Sequence, residues 1–313
     1  MSDTAIRVDH LVKTYRRSAD GVRAVDDLSF TVKTGSIFGL LGPNGAGKTT
    51  TLRILTTLAR PTSGRAEVLG FDVATSPLDV RRRIGVVIQE HAAELFLSVR
   101  DNLLTFARFH GLAGAAMRDR ADEVMVTFGL DTEANRKVQD MSGGFRRRVQ
   151  VAKMFMTDTP IIFLDEFSTG MDPILKRAVM ALLRQHAARG RTIVLTTQIL
   201  TEAEELCDDI LIINKGRQIA RGTLETLKTL VSRLSDVTLT FDRVPDRLRE
   251  IVAPHRPVRM DVEHHTVRLT LREQEASVID LVGELSRESR VLRVEIAGAS
   301  LEDIFVELTQ EKD

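Results

Sequence analysis

Three short stretches of this chain pair residue types with spacings that could act on a phosphate. The first, in LLGPNGAGKTTTLRIL, is Gly42-Pro43-Asn44-Gly45-Ala46-Gly47-Lys48-Thr49, with Thr50 next, an unbroken phosphate-binding loop pattern. Glycines let successive backbone N–H groups turn inward as a nest for phosphate oxygens. The loop feeds a helix start, whose free donors and dipole favour anions. Lys48 would set a point charge against β- and γ-phosphates, and the Thr49 hydroxyl would reach Mg²⁺. The context this pattern needs is strand, loop, helix, and SIFGLL precedes the loop while KTTTLRILTTLA follows it.

The second stretch is IIFLDE, an apolar run ending in Asp165 and Glu166. Ligands of open α/β sheets bind at such C-terminal strand ends. Asp165 would hold the metal, directly or through water, and Glu166 would polarise an attacking water. The third is MSGGFRRRVQVAKMF, where Ser142, Gly143 and Gly144 open a helix with exposed donors. That is an anion site of the same physical kind as the loop. One chain should not need two such sites for one nucleotide.

These groups need a rigid frame, and the pattern supplies one. Nearly all-apolar runs of strand length (SIFGLLG, RIGVVIQ, PIIFLDE, RTIVLTT, DDILIIN) alternate with helical segments as far as about Gly222. Strands of that kind belong to a parallel sheet buried on both faces. IRVDHLV and DLSFTVK alternate instead, which predicts an antiparallel piece beside the main sheet. Residues from about 90 to 158 read as a helical insertion. After ARGTLETLKTLVSRL the order becomes β-α-β-β-α-β, the ferredoxin-like pattern. A last helix is opened by Ser300 and Asp303, close to a capping box. The fold class expected is therefore α/β, a P-loop NTPase cassette over 1–229 followed by a small α+β ferredoxin-like domain over 230–313.

Composition narrows the partners. Of the 313 residues, 44 are basic and 44 acidic, so no global field favours nucleic acid. The one cysteine, Cys207, excludes a disulfide framework and suits a reducing cytosol. The N-terminus shows no signal-peptide pattern. No window approaches the roughly 20 uninterrupted apolar residues of a membrane span. Arg81-Arg82-Arg83 and Arg146-Arg147-Arg148 read as solvated faces. His264 and His265 read as exposed turn residues, and Cys207 as packed.

Taken in order, these motifs resemble the ATP-binding-cassette ATPases over the first two-thirds of the chain. MSGGFRRRVQVAKMF is similar to that family's signature segment. The resemblance implies that Tyr15, in LVKTYRR, stacks on adenine. It implies that Gln89, in VVIQE, joins the core to the helical insertion and reaches the metal with Thr49 and Asp165. STGMDP resembles the loop after the catalytic glutamate, with Asp172 as its acidic member. It further implies that two copies pack head to tail, each signature helix closing on the γ-phosphate held by the other.

Two departures stand out. Phe145 occupies a position that is usually polar, which implies altered interface packing. Gln198 stands where the family usually has histidine. A glutamine can still donate an amide hydrogen bond to the γ-phosphate or to Glu166 but cannot become cationic. Alternatively, Gln198 only leads into a helix capped by Thr201 and Glu204.

The C-terminal pattern looks like the extension on ATPases of drug, antibiotic and polysaccharide exporters. The expected protein is then an ATPase subunit on the cytoplasmic face of the membrane, a homodimer serving a separate integral membrane permease, with no nucleic-acid partner. The alternatives are a soluble ATPase of this family acting on ribosomes or DNA, and a regulatory ATP-binding module with negligible hydrolysis.

Overall fold

The structure is a computed structural model that describes all residues except 1–2, 16–20, 88–92, 231–234, 272–274, 299 and 311–313. The chain divides into two compact units, Met1–Arg221 and Gly222–Asp313. The division falls before helix α8 (Leu224–Leu230), whose Leu227 is buried and which packs with the last helix of the chain.

The first unit holds strands β1 (Thr4–Tyr15), β2 (Val22–Lys33), β3 (Ile37–Leu41), β4 (Ser63–Val68), β5 (Phe71–Asp72), β6 (Ile84–Val87), β7 (Ile161–Asp165), β8 (Thr192–Thr196), β9 (Asp209–Asn214) and β10 (Arg217–Gly222). Its helices are α1 (Lys48–Leu55), α2 (Pro77–Arg81), α3 (Val99–Phe109), α4 (Gly114–Thr127), α5 (Gly143–Lys153), α6 (Pro173–Ala188) and α7 (Leu200–Leu206).

The main sheet runs β10-β9-β3-β8-β7-β6, with β9, β3, β8, β7 and β6 parallel. Every residue of β3, β7 and β8 is buried, which is why these strands read as unbroken apolar runs. The alternating strands form a second sheet, β2-β1-β4-β5, antiparallel throughout. Phe30 of that sheet stacks on Phe38 of β3 at 5.4 Å between ring centres. The insertion is helical, as expected. Ser98 caps α3 by accepting the Asp101 N–H at 3.0 Å. Cys207 is buried with its sulfur against Gly39, and burial pushes its thiol far above the usual range.

The second unit holds α8, β11 (Ser235–Phe241), α9 (Leu248–Val252), β12 (Arg259–Glu263), β13 (Thr266–Leu271), α10 (Glu275–Glu288), β14 (Val291–Gly298) and α11 (Leu301–Gln310). The sheet order is β12-β13-β11-β14, each neighbour antiparallel, which is the ferredoxin-like arrangement. Alternate residues Val237, Leu239, Phe241, Val267, Leu269 and Leu271 form its core with α9 and α10. Ser300 and Asp303 make the reciprocal cap of α11, each backbone N–H meeting the other's side chain. His264 forms the β12–β13 turn at φ 51°, and among the described residues no cluster of His, Cys, Asp or Glu suits a metal.

Arg191, before β8, is buried, donates to the carbonyls of Thr159 and Met154, and has its pKa lowered to about 10 by burial. It lies near His186 of α6, which meets the Phe155 ring edge-on at 5.1 Å. Burial, then Arg191, Arg189 and Arg120, outweigh Asp158 and push the imidazole down to about 4 from the usual 6.5. Between those pH values the unfolded chain binds a proton that the folded chain refuses, so stability falls as pH drops through that window. His186→Gln is expected to flatten this acid limb, read as urea midpoints from pH 7 to pH 4.

Candidate active site

The phosphate loop leaves β3 and enters α1 through Gly47, which sits at φ 105°. A side chain there would be strained, and its first carbon would lie 2.3 Å from the Ala24 carbonyl oxygen. Only glycine lets the loop lie this close to β2. Lys48 is buried, and its ammonium donates to the carbonyls of Gly42 at 2.7 Å and Pro43 at 3.0 Å. Burial lowers its pKa, against the opposing pull of Glu166 and Asp165.

Asp165 ends β7 facing the loop, with its carboxylate 3.5 Å from the Thr49 hydroxyl. Its other oxygen accepts the Thr196 hydroxyl of β8. Glu166 follows at φ 50°, a left-handed conformation that a β-carbon disfavours. Its N–H bonds the Thr196 carbonyl at 3.0 Å, extending the β7–β8 ladder one residue past the strand end. Gln198 donates from Nε2 to Glu166 Oε1 at 2.5 Å and to Asn44 Oδ1 at 3.0 Å. The amide thus ties the acidic pair to the phosphate loop. The capping alternative for Gln198 fails: α7 is not capped by Thr201 and Glu204. Instead Thr197 accepts the Ile199 N–H at 2.9 Å and donates to buried Glu202 at 3.0 Å. Glu202 also takes the Ser168 hydroxyl at 2.6 Å and Lys176 at 3.0 Å.

The signature helix α5 begins at exposed Ser142 and Gly143, with Ser142 Oγ accepting the Phe145 N–H at 3.4 Å. Gly144 touches the loop after Glu166, because a β-carbon there would come within 2.4 Å of the Gly170 carbonyl oxygen. Gly143, Gly144, Glu166 and Gly170 help line a cleft of about 450 Å³, and among the described residues none of the phosphate loop lines it.

The solvated face expected of Arg146, Arg147 and Arg148 is not there. Arg146 donates to the carbonyls of Val138, Met141 and Gln139. Arg147 is buried, bonds Gln150 at 2.9 Å, and donates one guanidinium nitrogen to the carbonyls of Asp165 and, at 2.9 Å, Glu166. Burial lowers its pKa against the pull of those two carboxylates. Arg148 pairs with Asp172 at 3.1 Å and lies over the Phe145 ring at 4.4 Å. Asp172 also caps α6 by accepting the Leu175 N–H at 2.9 Å, which keeps its carboxyl below the usual range.

Sequence reasoning missed Arg147. A signal existed, since Arg147 shares the buried helical face with Gln150 and Val151 at spacings of three and four. Tyr15 is half-buried at the end of β1, under Lys13 at 5.0 Å. Gln89 lies outside the described residues.

The model of the ABC transporter family matches residues 25–169. A daunorubicin/doxorubicin resistance ATP-binding protein of Streptomyces peucetius is 37% identical over 308 residues, covering 97% of this chain and 92% of that one. A Nod factor export ATP-binding protein of Paraburkholderia xenovorans is 35% identical over 310 residues, covering 99% and 98%. A dimeric post-hydrolysis ATP-binding cassette, solved with ADP and Pi, superposes with a TM-score of 0.66 at 25% identity, covering 70% of this chain and 98% of that one.

Arg147→Met keeps the volume of α5 but leaves the Asp165 and Glu166 carbonyls without that donor. It is expected to lower unfolding free energy by about 1–3 kcal/mol in urea and to reduce ATP turnover while leaving KM for ATP nearly unchanged.

Proposed function

Because the chain belongs to the ABC transporter family of ATP-binding proteins, we propose that it is the ATP-hydrolysing subunit of an ABC exporter whose membrane-spanning part is a separate polypeptide. The observation that carries the reading is the convergence of Lys48, Thr49, Asp165, Glu166 and Gln198 at the C-terminal ends of β3, β7 and β8. The protein is an ATPase, and this cluster is its reaction centre.

In the reaction, water attacks the γ-phosphorus and ADP leaves, so positioning and charge neutralisation do most of the work. Glu166 takes the proton from the attacking water. The Gln198 amide, donating to Oε1, orients the Glu166 carboxylate for that step. Lys48 exchanges the Gly42 and Pro43 carbonyls for β- and γ-phosphate oxygens. The hydroxyl of Thr49 and the carboxylate of Asp165 are hard oxygen donors on facing elements and fit Mg²⁺, with Gln89 as the third proposed contact. When bound, the ion supplies positive charge to the β- and γ-phosphates. Tyr15 stacks on adenine, and backbone donors from Gly42 to Thr50 cradle the phosphates.

Gly143 and Gly144 line the cleft that the chain's own phosphate loop does not line, so they and exposed Ser142 before them serve a nucleotide held by a second copy in a head-to-tail homodimer. Asp172 and Arg148 hold the loop after Glu166 against that helix. Among the described residues no helix is long and apolar enough to cross a membrane. The permease is taken to dock beside the 88–92 segment and the helical insertion, where the Phe96 side chain is 78% exposed. The chain then sits peripherally on the inner face of the membrane, with the domain beyond the cassette as an accessory.

Glu166→Gln is expected to cut turnover at least about 100-fold while keeping ATP affinity and trapping an ATP-dependent dimer. Equal turnover in the variant would remove Glu166 from its role. No imidazole stands at position 198, so kcat should stay flat across neutrality. A loss of turnover about a pKa near 6.5, absent in Gln198→Ala, would refute that assignment. Site-specific crosslinking from Phe96 in native membranes should capture a polytopic protein. Capture only from residues beyond 229 would place the docking surface elsewhere.

A further inference from the structure

The two edges of the ferredoxin-like sheet are unlike. One edge, β12, is five residues long and carries Arg259, Asp261 and Glu263, with Arg259 and Asp261 paired at 2.6 Å. Short, charged edges of this kind resist further pairing. The other edge, β14, is eight residues long, and its two charges, Arg293 and Glu295, lie between apolar residues.

Its register explains what it exposes. Val294 lies opposite Leu239 and Ile296 opposite Val237, so both share the core face of the sheet. Yet Leu292, Val294 and Ile296 are 57%, 41% and 46% exposed, an apolar row where the sheet stops. Arg293 and Glu295 point to the opposite face, beside Thr240 and Thr238, and form an exposed ion pair with each other.

The sequence LRVEI is self-complementary about its central valine. In an antiparallel pairing of two copies with Val294 on the two-fold axis, Leu292 meets Ile296 of the second copy and Val294 meets Val294. On the other face Arg293 meets Glu295, twice. A one-residue slip would place apolar side chains on the charged face. We propose that β14 pairs with β14 of a second copy of this chain, joining two four-stranded sheets into one of eight strands. The contact is isologous, so it closes as a dimer. It requires no nucleotide and is separate from the ATP-driven dimer proposed above.

Two measurements on the full chain test this. Residues facing each other across an antiparallel pair lie about 4.5–5.5 Å apart at Cα, within disulfide range. Val294→Cys should therefore give a disulfide-linked dimer under mild oxidation without ATP, while Ile279→Cys, exposed on α10, should not. Sedimentation should show a nucleotide-free dimer. Arg293→Glu should weaken it about tenfold, and Arg293→Glu with Glu295→Arg should restore it. A nucleotide-free monomer at the highest soluble concentration would overturn the proposal, as would failure of the double exchange to rescue, equal crosslinking at both cysteine positions, or crosslinking of Val294→Cys to a different polypeptide in membranes. Retention of the ATP-dependent dimer by Glu166→Gln combined with Arg293→Glu keeps the two interfaces distinguishable.

Discussion

Everything at the reaction centre depends on how β7 ends. Asp165 and Glu166 must present two carboxylates to one place, although strand geometry would send adjacent side chains to opposite faces. The left-handed turn at Glu166 resolves this, and such a turn persists only where its surroundings hold it. Three elements do so. Thr196 of β8 holds the Glu166 N–H and the Asp165 carboxylate, Arg147 of α5 holds both carbonyls from below, and Gln198 holds the Glu166 side chain. Helix α5 is thus fastened to the backbone of the Asp165–Glu166 turn, and a shift of one is felt by the other.

The parts of this arrangement that were legible in the sequence are those set by local chemistry. The phosphate loop is fixed by glycine conformations and a helix start, and the buried strands by apolar runs. Even the ferredoxin-like order followed from periodicity. Side chains whose partners lie far away in the chain were not legible. Arg147 looks like one of three exposed arginines until the carbonyls 18 and 19 residues away supply its partners. Thr201 and Glu204 have cap spacing, but the buried carboxylate of Glu202 takes over the organisation of that turn with Ser168, Thr197 and Lys176. The period of helix α8 carries no mark of which core receives Leu227, so a boundary at 229 drawn from sequence differs from the division at Gly222.

Gln198 shows how a departure in one residue is absorbed by neighbours. A neutral amide has two hydrogens, and here one nitrogen serves both Glu166 and Asn44. The link from the Glu166 carboxylate to the phosphate loop is therefore made by the amide of Gln198, which has no proton to gain or lose. The geometry that a charged ring would impose by attraction is imposed by donor direction.

The half-buried ring of Tyr15 has a consequence outside chemistry. The protein contains no tryptophan and a single tyrosine. Its tyrosine emission therefore originates at one point, the end of β1 beneath Lys13. A nucleotide base laid on that ring would quench the tyrosine signal, with no tryptophan emission to mask the change. The wild-type chain is, in effect, its own single-site optical probe.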